Sequence, residues 1–337
     1  MIKSKKQRAP FTVADVIFII LFAVLAAYSL YLIFMLLWGF NTSLKSSDDF
    51  SFMKNYMGLP NINDPDFGSR NEFLHFANYK KVFKTFRITQ SETYYMGSTK
   101  VFKTTKTLFG LWVGAKTESD LTYAYFPDMV INTLVYVFGC ALVSSFIPAL
   151  TAYLTAKYNY KVSGVIVVAY TLMMCMPVVG DQPTRLAFFK ALGIYDTMGG
   201  VILQWASGAG LYFFVFYAYF KGVPETYREA ASIDGAGDTT VMFRIYFPLA
   251  IKMIMTVFLL QFVTLWNDYQ TPLLLLPTKP TLAYGVYFFS SLSLDHASYN
   301  EPLRIAASMM LALPILIVFI VFKDKLMGDI SLGGIKE

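Results

Sequence analysis

The chain has 337 residues, of which 56% are hydrophobic, 17% are aromatic and only 15% are charged, with a formal net charge of +6. A soluble domain carries about 25% charged residues, so the composition excludes a soluble enzyme domain and a disordered chain and indicates an all-α polytopic membrane protein. Only two Cys and two His are present, so we expect neither a disulfide framework nor a metal site.

Six apolar runs are long enough to span a bilayer, which needs about 20 mostly apolar residues per helix. The predicted spans are residues 16–40, 132–156, 162–179, 199–220, 249–276 and 305–322. The fourth contains Gln204 and several glycines, so its boundaries are the least defined. Pro148, Pro272 and Pro314 lie in or near spans and predict kinked helices.

The Lys and Arg residues of the short loops predict the orientation. With a cytoplasmic N-terminus, the inside segments hold thirteen Lys and Arg and the two short outside loops hold four. This bias favours a multi-pass protein of the plasma or inner membrane with both termini in the cytoplasm. The first span could instead belong to a cleaved signal peptide, but its length favours an uncleaved anchor. The basic balance thus reflects topology, and we expect no nucleic-acid partner.

Residues 41–127 lack the helical pattern and are predicted to form a long extracellular segment. Residues 86–93 and 100–112 are rich in Thr, Phe, Tyr and Val, and Met96-Gly97-Ser98 lies between them. This pattern predicts a β-hairpin or a small sheet. A lone hairpin is marginally stable, so we expect it to pack on the membrane domain as a cap or to form a docking surface for an extracellular protein.

The chain therefore divides into four predicted parts. Residues 1–40 are a cytoplasmic N-terminus with the first span, and residues 41–127 are the extracellular segment. Residues 128–323 are a core of five spans, and residues 324–337 are a cytoplasmic tail.

A charged segment, residues 222–248, lies between the fourth and fifth predicted spans on the inside. Pro224 suits the first position of a helix, and Gly235 and Gly237 end that helix. Asp238 can cap a second short helix. We therefore expect a helix–turn–helix at the cytoplasmic surface, in which Ala230-Ala231 form a small-residue face that another protein approaches closely.

This segment resembles a known signature. Glu229-Ala230-Ala231, three residues, Gly235, nine residues, Ile245, one residue and Phe247-Pro248 are similar to the EAA motif of ABC importer permeases. That family usually has Leu at the position of Phe247. Trp266-Asn267-Asp268-Tyr269, with Pro272 after it, resembles the fifth-helix motif of carbohydrate-importer permeases.

Further matches extend over most of the chain. The tail, residues 328–336, resembles the end of the second membrane subunit of maltose-type importers. Shorter matches lie at Asn78-Tyr79, Asn132-Thr133-Leu134, Thr281-Leu282 and Ala306-Ala307-Ser308. Residues 84–125 look like an insertion. The chain is thus similar to the permease subunits of binding-protein-dependent carbohydrate importers.

The resemblance implies the six-helix architecture of an ABC type I importer, in which residues 222–248 are a coupling loop that docks on a cytoplasmic ATPase. The positions that it assigns to this coupling are Glu229, Ala230, Ala231, Asp234, Gly235, Ile245 and Pro248. The implied partners are a second homologous permease subunit, two ABC ATPase subunits and an extracellular sugar-binding protein, with a carbohydrate as substrate and lipid around the spans.

The chain is not expected to be an enzyme or to bind a cofactor. A phosphate-binding loop needs Gly-x4-Gly-Lys-Ser/Thr, and residues 110–117 have Ala115 in place of the second Gly. ATP and Mg²⁺ are therefore expected on the partner ATPase.

Candidate substrate contacts lie in the fifth predicted span. A charge such as Asp268 costs about 2.5–3.5 kcal/mol at mid-bilayer on insertion scales, so it should face the bundle or a water-filled path. Trp266, Asn267 and Tyr269 offer aromatic faces and an amide to a sugar, and Gln204 is a further candidate. Alternatively, Asp268 caps or braces a broken helix.

Other functions remain open at this point. The same architecture could import a polyol, a glycerol phosphate or another non-sugar solute. A secondary transporter should show internal repeats and buried ion-coupling residues, and the sequence shows no repeat. A membrane-embedded enzyme would need a cluster of catalytic side chains at the interface, which is not visible.

Overall fold

The structure is a computed structural model that describes residues 13–50, 56–60, 76–85, 87–89, 123–158, 160–176, 180–291 and 301–328. Helices dominate these residues. They are α1 (Val13–Ser43), α2 (Ser47–Phe50), α3 (Ala77–Thr85), α4 (Phe126–Lys157), α5 (Lys161–Cys175), α6 (Gln182–Ala191), α7 (Met198–Gln204), α8 (Leu211–Gly222), α9 (Thr226–Ile233), α10 (Asp238–Val241), α11 (Phe247–Trp266), α12 (Gln270–Leu275), α13 (Leu282–Ser291) and α14 (Glu301–Gly328). A π-helical turn, Met242–Tyr246, joins α10 to α11.

Four helices among the described residues are long and apolar enough to cross a membrane. They are Asp15–Ser43, Phe126–Lys157, Asp238–Trp266 and Glu301–Phe322. Helix α5 is apolar but has only 15 residues. The predicted polytopic, helical architecture is therefore confirmed, whereas the count of six spans stays a prediction.

The fourth predicted span, residues 199–220, is two helices rather than one. Helix α7 ends at Gln204 and α8 begins at Leu211. Gly210 precedes α8 with φ of +137°, a conformation that no helical residue has and that glycine adopts readily. Hydropathy does not indicate this break, because the residues on both sides of it are apolar.

The fifth predicted span, residues 249–276, is also interrupted. Helix α11 ends at Trp266, and the chain resumes as α12 after three residues. Pro272 has no N–H with which to bond the carbonyl of Asp268 four residues earlier, so an α-helix cannot run through this point unbroken. The Asp268 side chain instead accepts a hydrogen bond from the N–H of Thr271 at 3.1 Å.

Residues 41–127, which the sequence predicts to be extracellular, are described only in part. Strand β1 (Arg87–Thr89) lies inside the predicted strand 86–93, and it pairs antiparallel with β2 (Tyr123–Tyr125), Ile88 opposite Ala124. The second predicted strand, residues 100–112, lies outside the described residues, as does most of the tail motif. The predicted hairpin between 86–93 and 100–112 therefore stays a prediction.

The residues separate into two compact units, one of Met1–Lys80 with Asp295–Met309 and one of Lys81–Leu294 with Met310–Glu337. In the first unit, the Asn78 amide donates hydrogen bonds to the carbonyls of Ser43 (2.9 Å) and Lys45 (2.8 Å). These carbonyls lie at and just beyond the end of α1, where a helix leaves its last acceptors unpaired. Asn78, which the sequence resemblance singled out, thus closes the end of a helix.

In the second unit, α4 packs against α7, α8 and α11. Rings from α4, α8 and the π-helical turn meet at one end of the bundle, where the ring centroid of Tyr153 lies 5.5 Å from that of Phe220 and 5.1 Å from that of Tyr246. Near the other end, the Thr133 hydroxyl accepts a hydrogen bond from the N–H of Leu282 at 2.7 Å. Helix α4 therefore contacts most of the elements that form the site described below.

The start of α7 provides a test of this packing. A Cβ atom on Gly200 would lie 2.5 Å from the carbonyl oxygen of Ile194, whereas a Cβ on Gly199 would meet nothing within 4 Å. Gly200→Ala is therefore expected to lower the stability of the detergent-purified protein by about 1–3 kcal/mol, as overpacking does. Gly199→Ala should change it by less than about 1 kcal/mol, and in the stabilising direction. Thermal unfolding of both variants checks this, and equal midpoints would contradict the placement of α7.

Candidate functional site

The coupling loop predicted from the sequence contains helix α9. Glu225 precedes the helix, and its carbonyl accepts the N–H groups of Arg228 (2.9 Å) and Glu229 (3.0 Å). The helix therefore begins at Thr226, two residues later than predicted, and Pro224 lies before it rather than in its first position.

Helix α9 ends in a glycine turn, as the sequence predicts. The N–H of Gly235 bonds the carbonyl of Ser232 at 3.1 Å, and the N–H of Ala236 bonds the carbonyl of Ala231 at 2.9 Å. This pair of bonds is a Schellman motif, which places the residue after the C-cap in the left-handed region. Gly235 has φ of +79°, which explains why glycine suits this position. Asp234, another predicted coupling residue, is the exposed C-cap.

The second predicted short helix is not separate. This helix is α10, whose N-cap is Gly237, and the Asp238 side chain makes no capping bond to it. Helix α10 continues through the π-helical turn into α11. Pro248 has no N–H for the carbonyl four residues earlier, and the N–H of Phe247 bonds the carbonyl of Met242 in the π-helical pattern. Of the two remaining predicted coupling residues, Ile245 lies half-buried in this turn, and Pro248 is exposed.

The two alanines of the motif do not form one face. Ala231 is buried in the core with α4, α8 and α11, whereas Ala230 is exposed. Consecutive residues of a helix point about 100° apart, so one helix face cannot hold both. The positions three and four apart, Thr226, Glu229, Ala230 and Ile233, instead form one exposed face of α9, and Tyr227 and Ser232 are exposed beside it.

Ile233 is the residue that sequence reasoning missed on this face. Its side chain is 86% exposed, the most exposed of the large apolar residues described in the structure. Its position four residues after Glu229 was the signal that could have identified it, because residues at that spacing share a helix face. This exposed apolar side chain, next to Glu229 and Ala230, leaves the end of α9 accessible to contact from another protein.

Tyr158 connects α4 to the coupling loop. Its ring lies 5.8 Å from the guanidinium carbon of Arg228 on α9. Burial raises the pKa of the Tyr158 phenol above its usual value, and the adjacent Asp238 carboxylate raises it further by its hydrogen bond and charge.

A cavity of about 550 Å³ lies where the two helix breaks face α4. It collects the predicted residues Gln204, Asn267, Asp268 and Tyr269. Its other lining residues are Ser144, Pro148, Arg185, Trp205, Ser207, Ala209, Gly210, Tyr212, Phe213, Gln261, Thr264, Leu265, Gln270 and Thr271. Trp266 does not line the cavity, because it is buried and its indole N–H donates to the carbonyl of Leu311 at 3.0 Å.

The lining of the cavity combines amides, hydroxyls and aromatic rings. The buried Gln204 Oε1 and Trp205 Nε1 have no hydrogen-bond partner in the part of the chain that the structure describes. A buried polar atom without a partner costs about 1–3 kcal/mol, so both are available to a polar ligand. Tyr269 stacks on Tyr287 with ring centroids 4.3 Å apart, which fixes the orientation of its ring.

The charged side chains of the cavity are engaged by their neighbours. The Asp268 carboxylate accepts the Tyr136 hydroxyl at 2.7 Å and the N–H of Thr271 at 3.1 Å. It thereby braces α4 against the start of α12, and a ligand would have to share these oxygens. Arg185, one of the four Lys and Arg of the predicted short outside loops, pairs with Asp181 one helical turn away.

The comparisons with known proteins agree with these features. Residues 136–324 match the family described as binding-protein-dependent transport system inner membrane component. The chain is 28% identical over 208 residues to the arabinooligosaccharides transport system permease protein AraQ of Bacillus subtilis, covering 61% of this chain and 72% of that protein. It is 29% identical over 194 residues to the maltose/maltodextrin transport system permease protein MalG of Vibrio vulnificus, covering 55% and 64%.

A solved structure shares the fold. A chain from a bacterial ABC transporter involved in the import of the acidic polysaccharide alginate superposes with a TM-score of 0.66. The alignment covers 94% of this chain and 99% of that chain at 19% identity, which carries information on the fold alone.

The brace at Asp268 can be tested by a double-mutant cycle. Tyr136→Phe removes the hydroxyl and Asp268→Asn removes the charge, so each is expected to lower the stability by about 1–3 kcal/mol. The double variant should lose less than the sum, because both changes weaken the same bond. Thermal unfolding in detergent measures all three. Tyr160→Phe, at an exposed tyrosine, is the control and should have no effect, and additive losses at 136 and 268 would refute the brace.

Proposed function

Because the chain belongs to the family of binding-protein-dependent transport system inner membrane components, we propose that it is the permease subunit of an ATP-driven importer of a carbohydrate, in particular an oligosaccharide. The observation that best supports this proposal is that helix α9, which contains the EAA motif and exposes Ile233 at its end, shares a common core with helices that line a polar cavity. The first feature serves for docking and the second for passage of a solute.

The chemistry of the cavity supports a sugar as the solute. Amides and hydroxyls can exchange hydrogen bonds with sugar hydroxyls, and rings such as Tyr212 and Tyr269 can stack on a pyranose face. Relatives are described as permeases for arabinooligosaccharides and for maltose and maltodextrin. A glycerol phosphate would require an uncompensated cation, and Arg185, the one cation among the lining residues of this cavity, is paired with Asp181.

The partners are those that a binding-protein-dependent importer needs in addition to this subunit. We infer that a second homologous permease completes the pathway, two ABC ATPase subunits bind ATP and Mg²⁺, and an extracellular sugar-binding protein delivers the substrate. The coupling loop and both termini then lie in the cytoplasm, an orientation that the excess of Lys and Arg in the predicted inside segments favours. This chain performs no hydrolysis in that scheme.

The mechanism couples two states of the ATPase to two states of the cavity. Closure of the ATPase dimer displaces α9, whose Ala231 is packed in the same core as α4, α8 and α11. Helices α4 and α11 also contribute lining residues to the cavity. A displacement of α9 therefore shifts the balance between inward- and outward-facing arrangements, as in other rigid-body transitions.

Docking of the ATPase is tested by purifying tagged protein from the cells that produce it and identifying what accompanies it by mass spectrometry. We expect a second permease and an ABC ATPase. Ile233→Ala should reduce the retained ATPase by about tenfold or more, since burying this side chain is worth about 1.5–3 kcal/mol. Ile233→Leu keeps the apolar volume and should retain the ATPase.

Two further variants examine the motif itself. Glu229→Trp and Gly235→Val should also lose the ATPase while keeping the second permease, because they alter the exposed face of α9 and its left-handed turn. If the wild-type chain purified alone even after cross-linking, the importer proposal would fail.

The role of the cavity is tested with Gln204→Leu. The substitution removes the buried unpaired oxygen, so the apparent melting temperature of the complex should stay equal or rise. Uptake of the sugar identified through the binding protein should fall by about tenfold, as expected for the loss of one hydrogen bond to a substrate. Leu203→Ala, at an exposed neighbour, should leave both unchanged. Normal uptake by Gln204→Leu would exclude this residue from the pathway.

A further inference from the structure

Lys157 is the last residue of α4, and it is a buried cation with three partners. Its side chain is only 2% exposed. The ammonium Nζ donates to the carbonyl of Val223 at 2.6 Å and to the Glu225 carboxylate at 3.0 Å. It also lies 5.1 Å from the centroid of the Tyr246 ring, at the distance of a cation–π contact.

These partners belong to the coupling loop and its surroundings. Val223 and Glu225 form the segment that leads into α9, and the carbonyl of Glu225 starts that helix. Tyr246 belongs to the π-helical turn that follows α10. One ammonium group thus joins the end of α4 to the beginning of the coupling helix and to the turn behind it.

Helix α4 extends from this ammonium to the cavity. Ser144 and Pro148 of α4 line the cavity, and Ser144 lies about 20 Å from Lys157 at 1.5 Å per residue. Tyr136, which donates to Asp268, lies about 30 Å from Lys157 on the same helix. A helix held at both ends in this manner can carry a displacement from one end to the other.

We propose that Lys157 is a positioning residue that couples the EAA helix to α4, so that movement of α9 driven by the ATPase moves the cavity-lining helix. The proposal rests on the proposed function, because it assigns the contact through which the coupling loop acts. A buried ammonium resists separation from its partners, since leaving it unpaired in the interior is strongly unfavourable.

The alternative is that Lys157 only stabilises the end of α4. A cation near a helix C-terminus interacts favourably with the helix dipole, and that effect needs no Glu225. The Glu225 side chain is 49% exposed and also lies 3.6 Å from Arg228. Glu225→Gln therefore weakens the contact with the coupling loop while leaving Lys157 and the end of α4 in place.

The experiment measures coupling without a known substrate. The two native cysteines are replaced (Cys140→Ala, Cys175→Ala), and Ser207→Cys provides one thiol in the cavity. In the complex purified with its ATPase, the labelling rate of this thiol by a water-soluble maleimide is measured without nucleotide and after trapping with ATP and vanadate. The ratio of the two rates reports how far the ATPase controls the cavity.

We expect Lys157→Met to retain the ATPase and its hydrolysis of ATP but to reduce this ratio by about tenfold, within the usual range of coupling between sites. Lys157→Arg keeps the charge and donors and should restore most of the ratio. Glu225→Gln should give an intermediate ratio. Lys161→Met, the same substitution at an exposed lysine four residues on, should match the wild type.

Failure of the coupling role of Lys157 and failure of the proposed function give different results in this experiment. If the wild-type chain brings no ATPase, the proposed function fails. If the wild type brings an ATPase and Lys157→Met keeps the full ratio, the coupling role of Lys157 is refuted while the importer stands. If Lys157→Met does not assemble, Glu225→Gln decides, and an unchanged ratio in that variant refutes the proposal.

Discussion

The need to pair every backbone polar group inside a bilayer is the constraint on which this molecule depends. No water is available there to replace a lost helix bond, so a break must face protein or a cavity. The described part of the chain has two breaks in apolar runs, at residues 205–210 and 267–269, and residues from both line the same cavity. At the second break, Asp268 bonds the N–H of Thr271 and the hydroxyl of Tyr136. At this second break, a backbone N–H is thus bonded by a side chain that lines the cavity.

Helix α4 is the element that meets these breaks and the coupling loop together. Its middle lines the cavity, its first half bonds Asp268 through Tyr136, and its last residue bonds the segment before α9. Thr133 near its start also accepts the N–H of Leu282, so two short motifs that are 149 residues apart in the sequence meet here. The motifs of this chain therefore mark places where distant segments join α4.

The sequence could predict features that depend on local chemistry. Gly235 follows the end of α9 because the turn there requires a positive φ. A glycine after a helical pattern predicts such a turn without knowledge of the tertiary structure. The family followed from the spacing of the EAA motif, and the match over residues 136–324 confirms it. The helical membrane architecture followed from composition alone.

Features that depend on contacts between segments could not be predicted in this way. Residues 199–220 and 249–276 are each apolar enough on average to be predicted as one span, so hydropathy does not locate the breaks near Gly210 and Pro272. The burial of Ala231 and the exposure of Ile233 depend on which side of α9 faces the core. Lys157 is one of the thirteen Lys and Arg of the predicted inside segments, and the sequence alone does not indicate its burial, which depends on the contacts with Val223 and Glu225.

The two ends of the Lys157–Glu225 contact differ in what separation would cost. Glu225 is half exposed, so water can solvate its carboxylate if the contact opens, whereas the ammonium of Lys157 is almost fully enclosed and would be left without compensation. The cheaper response to a displacement of α9 is for Lys157 to follow its partners, because rotation or translation of α4 keeps all three contacts. An apolar contact at this point could slide, since the hydrophobic effect has no direction. A buried cation with a carbonyl, a carboxylate and a ring around it fixes position and direction, which is what transmission along a helix requires.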